Sequence, residues 1–135
     1  MQITDQDRQN LAQVHQLHAR VLAQLPPPHA FQGRGIVTSI YDKEFASGWV
    51  LLCELARLGC TLPLEGFHAK GELSPAQVAL LEQAYPHTTV RCFAEEGLKG
   101  FPLKVMAMFQ ARFEEILWLD SDDFPIREPS FLFDD

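Results

Sequence analysis

The first segment of the chain, residues 4–25, carries its less polar positions at helical spacing. Thr4 precedes the pattern, and Asp5 and Asp7 fall in its first turn, where a capping hydroxyl and negative charge favour a helix start. The stripe that predicts an amphipathic helix consists of Leu11, Val14, His18, Val21 and Leu25. Three prolines at 26–28 then predict the end of the helix and a stiff linker.

After this linker, short apolar runs alternate with helical patterns. Because the runs are short and rich in apolar and β-branched residues, strands are predicted at 35–40, 60–68 (interrupted by a proline), 88–93 and 116–119. Helices are predicted between them, at 43–58, 74–85 and 101–113. The last helix is apolar almost all round, which predicts deep burial.

The order of these elements predicts the architecture. Strands that alternate with helices are typical of an α/β domain with a mostly parallel sheet flanked by helices. We therefore expect two regions: residues 1–30 as an amphipathic helix with its proline linker, and residues 31–135 as the α/β domain.

Composition narrows the functional classes. The chain has 135 residues, 47% of them hydrophobic, which is enough for one compact core. Its net charge of −7 argues against nucleic acid as a partner, because phosphate neutralisation needs clustered Lys and Arg. No apolar stretch is long enough to span a membrane, and the polar N-terminus does not resemble a signal peptide, so the chain as it stands is expected to be cytoplasmic. The three cysteines are expected to be buried or half-buried free thiols.

An acidic cluster follows the fourth predicted strand. Ligands of parallel α/β sheets bind beyond the carboxyl ends of the strands, and Asp120, Ser121, Asp122 and Asp123 lie at such an end. Carboxylates two residues apart face the same side while strand geometry persists. Asp120 and Asp122 are therefore candidate ligands of Mg²⁺ or Mn²⁺, which favour oxygen donors. The alternative is a solvated acidic turn.

Further candidates lie near the same sheet edge. Thr38, Ser39 and Tyr41 end the first strand, where hydroxyl groups could hydrogen-bond a ligand and an aromatic ring could stack on a base. Lys104 is the one charged residue within an otherwise apolar stretch of helix. It either reaches a phosphate or the acidic cluster, or extends its ammonium to water.

Several segments together resemble a known family. The run Lys104–Asp134, KVMAMFQARFEEILWLDSDDFPIREPSFLFD, is similar to the DxD region of fungal-type α-mannosyltransferases related to the Golgi α-1,3-mannosyltransferases. Gly35–Thr38 and Glu54–Glu65 (ELARLGCTLPLE) are similar to the first strand of that family and to a segment that follows it. The resemblance covers about residues 35–134.

The resemblance implies a GT-A (Rossmann-like) fold, a DxD-bound Mn²⁺ or Mg²⁺ and a Golgi membrane location for the family. It also implies transfer of a sugar, mannose in the first instance, from a nucleotide-diphospho-sugar to a glycan acceptor. GDP-mannose is the favoured donor and a UDP-sugar is the alternative. By position, the metal ligands are Asp120 and Asp122, whereas Asp123 stands where the family commonly has Asn. The expected donor-binding residues are Thr38, Ser39, Tyr41, Lys104, Asp120, Ser121 and Asp122.

Two other functions are compatible with the residues. One is a non-catalytic module that binds a sugar nucleotide or a partner protein. The other is a phosphatase with a DxDx(T/V) nucleophile motif, which Phe124 disfavours because it occupies the Thr or Val position. A complete GT-A enzyme needs a further half on domain-size grounds. The domain is therefore expected to be incomplete, with its catalytic groups unknown and outside these residues.

Overall fold

The structure is a computed structural model that describes residues 4–23, 31–94 and 101–134. The chain divides into two compact units, Met1–Phe31 and Gln32–Asp135. The predicted proline linker at 26–28 lies outside the described residues. Within the described parts, no helix combines the length and the apolar character needed to cross a bilayer.

Helix α1, Asp5–Ala23, confirms the first predicted helix. Its start is held by reciprocal hydrogen bonds. The backbone N–H of Asp7 donates to Thr4 Oγ1 at 3.2 Å, and the Thr4 N–H donates to Asp7 Oδ2 at 2.8 Å. These bonds satisfy backbone donors that a helix start leaves without partners.

The second unit contains a four-stranded sheet in the order β3-β2-β1-β4. Every pairing in this sheet is parallel, which confirms the predicted α/β class. The strands are β1 (Arg34–Ser39), β2 (Leu64–His68), β3 (Thr88–Cys92) and β4 (Glu115–Trp118).

The connecting helices are α2 (Phe45–Arg57), α3 (Pro75–Ala84) and α4 (Phe101–Gln110), and a short 3-10 helix, Asp42–Glu44, precedes α2. A capping box between Ser74 and Gln77 starts α3, and a proline occupies its first turn. Gly59, with φ of 71°, follows α2 in the left-handed conformation that favours glycine. Local signals in the sequence therefore set the start of α3 and the end of α2.

Alternation along β1 distributes its side chains between two cores. Ile36 packs in one core with α2 and α3, whose buried residues include Leu51, Leu52, Leu55, Leu81 and Tyr85. Val37 packs in the other core, with Phe67, Phe93 and the α4 residues Leu103 and Ala107. Both faces of the sheet are thus covered, as expected for parallel strands.

The expected all-round burial of the last helix is wrong. Leu103 and Ala107 are fully buried, but Val105 and Met108 are 46% and 36% exposed. The helix contacts the sheet with one face only, so the residues on its outer side stay in solvent. The expectation for the cysteines also fails in part, because Cys92 is exposed.

A buried carboxylate on β2 ties the end of α4 to the sheet. Glu65 is 5% exposed, and its Oε2 accepts from Arg91 Nη1 at 3.1 Å and from the Arg112 backbone N–H at 3.2 Å. Arg91 also donates to the Gln110 carbonyl at 2.8 Å. A buried charge is tolerated when it is paired and hydrogen-bonded in this way.

The chain after β4 comes back to the amino end of the sheet. Asp134 Oδ1 lies 3.0 Å from Nη1 of Arg34, the first residue of β1. The Arg34 guanidinium also lies 5.4 Å from the centroid of the Phe133 ring. Residues 124–134 therefore run from the carboxyl edge of the sheet to its amino edge.

Gly35→Ala should destabilise the domain by about 1–3 kcal/mol, the usual range for overpacking. A Cβ at position 35 would lie 2.4 Å from the Phe113 ring, so ring and strand cannot both keep their places. Gly66→Ala is the matched control on the neighbouring strand, because its Cβ would meet nothing closer than 3.8 Å. Urea denaturation should separate the two variants, and equal midpoints would contradict this packing.

Glu65→Gln should lower the free energy of unfolding by about 2 kcal/mol. This is below the ~3–5 kcal/mol of a broken, fully buried pair, because the side chain of Arg91 is 26% exposed. In the control Glu54→Gln, the lost ion pair is with Arg57, whose side chain is 62% exposed. Its loss should cost less than ~1 kcal/mol, and similar losses in the two variants by urea denaturation would refute the structural role of Glu65.

Candidate functional site

The strand order reverses beside β1. From β1 the chain adds β2 and then β3 on one side, and α4 returns it to place β4 on the other side. Such a reversal leaves a crevice at the carboxyl ends of the two strands where it occurs, which is the usual ligand position in open α/β sheets. Here the crevice lies between the ends of β1 and β4.

An open pocket of about 310 Å³ occupies this crevice. Its lining comes from the loop after β1, from α4 and from the turn after β4. We call it the strand-end pocket, and its residues are Ser39, Tyr41, Glu44, Lys104, Asp120, Ser121 and Asp122. Six of the seven residues expected at a donor site from the sequence are therefore brought together, and the seventh, Thr38, is not.

Residues 120–123 form a closed turn, which we call the acidic turn. The Asp123 backbone N–H donates to the Asp120 carbonyl at 2.9 Å, and the Asp120 N–H donates to Asp123 Oδ2 at 2.9 Å. Asp123 thus uses its carboxylate to hold the turn, while Asp122 lines the pocket and is exposed. This accounts for Asp123 without a ligand.

Asp120 is held by two neighbours. Its Oδ1 accepts from Trp118 Nε1 at 2.7 Å, and Lys104 Nζ lies 3.1 and 3.2 Å from Oδ1 and Oδ2. The Trp118 hydrogen bond has the largest influence and lowers the pKa of the Asp120 carboxyl; partial burial opposes this shift, and Lys104 adds to it. The carboxylate therefore stays ionised and fixed in orientation.

A hydrogen bond joins the two sides of the pocket. Ser121 is 4% exposed, and its Oγ donates to Glu44 Oε2 at 3.2 Å. Glu44 belongs to the 3-10 helix after β1, whereas Ser121 belongs to the acidic turn. This contact sets the separation of the β1 and β4 loops.

Tyr41 forms the aromatic part of the pocket wall. Its ring is half-buried, and burial is the largest influence that raises the pKa of its phenol. The Lys43 ammonium lies 5.9 Å from the ring centroid. Tyr41 is therefore neutral at physiological pH and presents a flat, partly exposed surface next to the carboxylates.

Thr38 differs from its expected placement. It is fully buried and does not line the pocket, and its Oγ1 has no hydrogen-bond partner among the described residues. Strand alternation puts Thr38 on the side of Ile36, facing the core, whereas the next residue, Ser39, lines the pocket. Of these two hydroxyl residues, Ser39 is the one that lines the pocket.

Two residues of the site were not predicted from the sequence. Trp118 precedes Asp120 by two positions, so strand periodicity puts the indole on the same side as the carboxylate; this signal was present but hidden in an apolar run. Glu44 fell inside the predicted helix at 43–58, and only the observed 3-10 helix shows that it lines the pocket.

The donor atoms of the pocket fit a hard divalent cation. Asp120, Asp122 and Glu44 offer carboxylate oxygens, and none of the described lining residues is a His or Cys. Within the described parts of the chain, no group of three or more His, Cys, Asp or Glu side chains is arranged to hold a metal ion. The fit is therefore to an ion held by one or two carboxylates and completed by substrate phosphates and water, a mode typical of Mg²⁺.

Solved and curated proteins resemble the chain. In the apo structure of the bifunctional glycosyltransferase WbbM, the match has a TM-score of 0.53 and 17% identity, and covers 77% of this chain and 21% of that one. The α-1,2-mannosyltransferase MNN21 of Candida albicans is 28% identical over 93% of this chain, and the α-1,2-mannosyltransferase MNN2 of Saccharomyces cerevisiae is 23% identical over 100%. The chain spans 22% and 24% of these two relatives.

The WbbM match supports the fold, and a protein family extends the comparison to function. The family described as "Mannosyltransferase putative" matches residues 33–135, which include the whole sheet and the strand-end pocket. Since this match covers well over half of the chain, the protein belongs to this mannosyltransferase family of glycosyltransferases.

Proposed function

We propose that the strand-end pocket binds a nucleotide-diphospho-sugar, GDP-mannose in the first instance, for transfer of the mannosyl residue to a glycan acceptor. The observation that carries this proposal is that Lys104 and two exposed aspartates, Asp120 and Asp122, line one pocket at the strand reversal. Family membership supports mannosyl transfer over phosphatase chemistry at the same acidic turn.

Different residues of the pocket are expected to contact different parts of the donor. A diphosphate carries charge that needs cationic partners, and Lys104 is the described cation that lines the pocket. Tyr41 and Ser39 lie at the end of β1, where an aromatic face and a hydroxyl can stack on and hydrogen-bond a nucleoside. The phosphates are therefore expected near the acidic turn and the nucleoside near β1.

Asp120 and Asp122 are the proposed holders of Mn²⁺ or Mg²⁺. Such an ion, when bound, neutralises the charge that develops on a diphosphate leaving group. The Trp118 N–H holds the Asp120 carboxylate in its orientation, and Asp123 maintains the shape of the acidic turn. Residues that orient a ligand in this way commonly matter almost as much as the ligand itself.

The linkage formed is a separate matter from the donor. The sequence resembles fungal-type α-mannosyltransferases related to the Golgi α-1,3-mannosyltransferases, whereas the curated relatives are named α-1,2-mannosyltransferases. The donor pocket is the part described here, and its residues recognise the nucleotide and phosphates rather than the acceptor hydroxyl. We therefore propose mannosyl transfer without assigning a linkage.

Asp122→Asn should abolish Mn²⁺-dependent binding of GDP-mannose and leave the fold intact. Asp122 is exposed, so the substitution removes a ligand charge without opening a core. Isothermal titration calorimetry measures the binding, and circular dichroism checks the fold.

Asp134→Asn is the matched control for this variant. It makes the same chemical change at the amino edge of the sheet, where Asp134 pairs with Arg34. Binding by this control should equal that of the unaltered chain. Equal binding by Asp122→Asn and Asp134→Asn would remove the pocket from the account.

Among nucleotide sugars, GDP-mannose with Mn²⁺ should raise the unfolding midpoint most, because a ligand that binds only the folded state stabilises it. At a ligand concentration of 100 Kd the stabilisation is about 2.7 kcal/mol. Thermal shift with GDP-mannose, UDP-glucose and mannose 1-phosphate, each with and without Mn²⁺, makes the comparison. A larger shift with UDP-glucose would reassign the base, and no shift with any nucleotide would contradict the proposal.

A further inference from the structure

We propose that Lys104 is an exchangeable counter-ion: it pairs with Asp120 until a divalent cation binds there, and then moves to the donor diphosphate. This inference rests on the proposed function of the same pocket and adds a positioning role for one residue. It makes the binding of cation and nucleotide interdependent.

Lys104 is paired with Asp120 in the structure. Lys104 Nζ lies within 3.2 Å of both carboxylate oxygens. The same ammonium lies 4.7 Å from the centroid of the Trp118 ring, an attractive cation–π position. A side chain held by two partners has a defined place in the pocket.

Electrostatic repulsion disfavours a divalent cation and the Lys104 ammonium on Asp120 at the same time. A divalent cation on Asp120 would lie a few ångströms from the Lys104 ammonium, and like charges at such distances repel. Trp118 already donates to Oδ1 of Asp120, so fewer positions around this carboxylate are left for both the ammonium and a divalent cation. Cation binding and the Lys104–Asp120 pair therefore compete.

Lys104 can bind another partner in the pocket once it leaves Asp120. Its ammonium sits on a flexible four-carbon stem with three rotatable donors, so it can change partner without a backbone shift. The pocket that it lines with Asp122 is open, and its side chain is 32% exposed. A bound diphosphate is anionic, so it would bind the released ammonium more strongly than water does.

Removing the charge should therefore have opposite effects on two ligands. In Lys104→Gln, Mg²⁺ alone should bind roughly two- to fivefold more tightly, the fold-change that corresponds to loss of a partly exposed ion pair. GDP in the presence of Mg²⁺ should bind about tenfold more weakly, because a charge-assisted hydrogen bond to phosphate is lost. If Lys104 had a purely structural role, both ligands would bind more weakly to the variant. If it had no role, both affinities would stay the same.

The experiment is isothermal titration calorimetry of the 135-residue chain with Mg²⁺ alone, GDP alone and GDP with saturating Mg²⁺. Lys104→Met is the second variant, since it keeps an apolar stem against Trp118. Arg57→Gln is the matched control, because it removes one cation from an exposed ion pair with Glu54, away from the pocket. The control should bind both ligands as the unaltered chain does.

A fluorescence measurement follows the exchange directly. The chain has two tryptophans, so Trp49→Phe leaves Trp118 as the reporter next to the ammonium. Mg²⁺ with GDP should shift the Trp118 emission in this background, and the same addition to Trp49→Phe/Lys104→Gln should give a smaller shift. Mg²⁺ is used because it does not quench emission as a paramagnetic ion does.

The outcomes separate the two proposals. If the unaltered chain binds no GDP with Mg²⁺, the proposed function fails. If it binds GDP with Mg²⁺, but Lys104→Gln leaves the affinity for Mg²⁺ alone unchanged or lowers it, the counter-ion exchange alone is overturned. Tighter Mg²⁺ binding together with weaker GDP binding in both Lys104 variants supports the exchange.

Discussion

Parallel pairing of β1 with β2 on one side and β4 on the other determines where the pocket residues that follow β1 and β4 lie. Parallel strands bring their carboxyl ends to one edge, so the loops after β1 and β4 start side by side. The backbone bonds from Ile40 to Phe67 and from Leu119 to Val37 continue these pairings beyond the strands. Residues 77 positions apart in the chain thereby come into hydrogen-bond contact, as Glu44 and Ser121 do.

Charge balance at the strand end follows from this geometry. Asp120, Asp122 and Glu44 line one pocket, and repulsion among carboxylates must be offset by nearby donors or cations. Trp118 and Lys104 offset it at Asp120, and Ser121 does so at Glu44. Asp120 and Asp122 both remain exposed to solvent. These contacts fix the positions of Asp120 and Glu44 in the pocket.

Local patterns were sufficient for the strands, the α-helices and the position of the acidic turn, because strand runs, caps and terminating glycines act over a few residues. They were insufficient where packing decides. Thr38 and Ser39 are adjacent hydroxyls, and only the identity of the helices on each face shows that Ser39 lines the pocket. Val105 and Met108 are apolar yet exposed, because α4 packs through one face. Trp118 lay in an apolar run, where its N–H gave no separate signal.

Paramagnetic broadening of backbone amide resonances by Mn²⁺ tests most directly whether a divalent cation binds at Asp120 and Asp122. With GDP present, broadening should be strongest for residues 118–123 and 39–44, around the strand-end pocket. Amides at the opposite edge of the sheet, including Arg34, Glu115 and Asp134, should keep sharp resonances. Broadening centred on that opposite edge, or spread evenly over the acidic surface, would contradict a cation site at the carboxyl ends of β1 and β4.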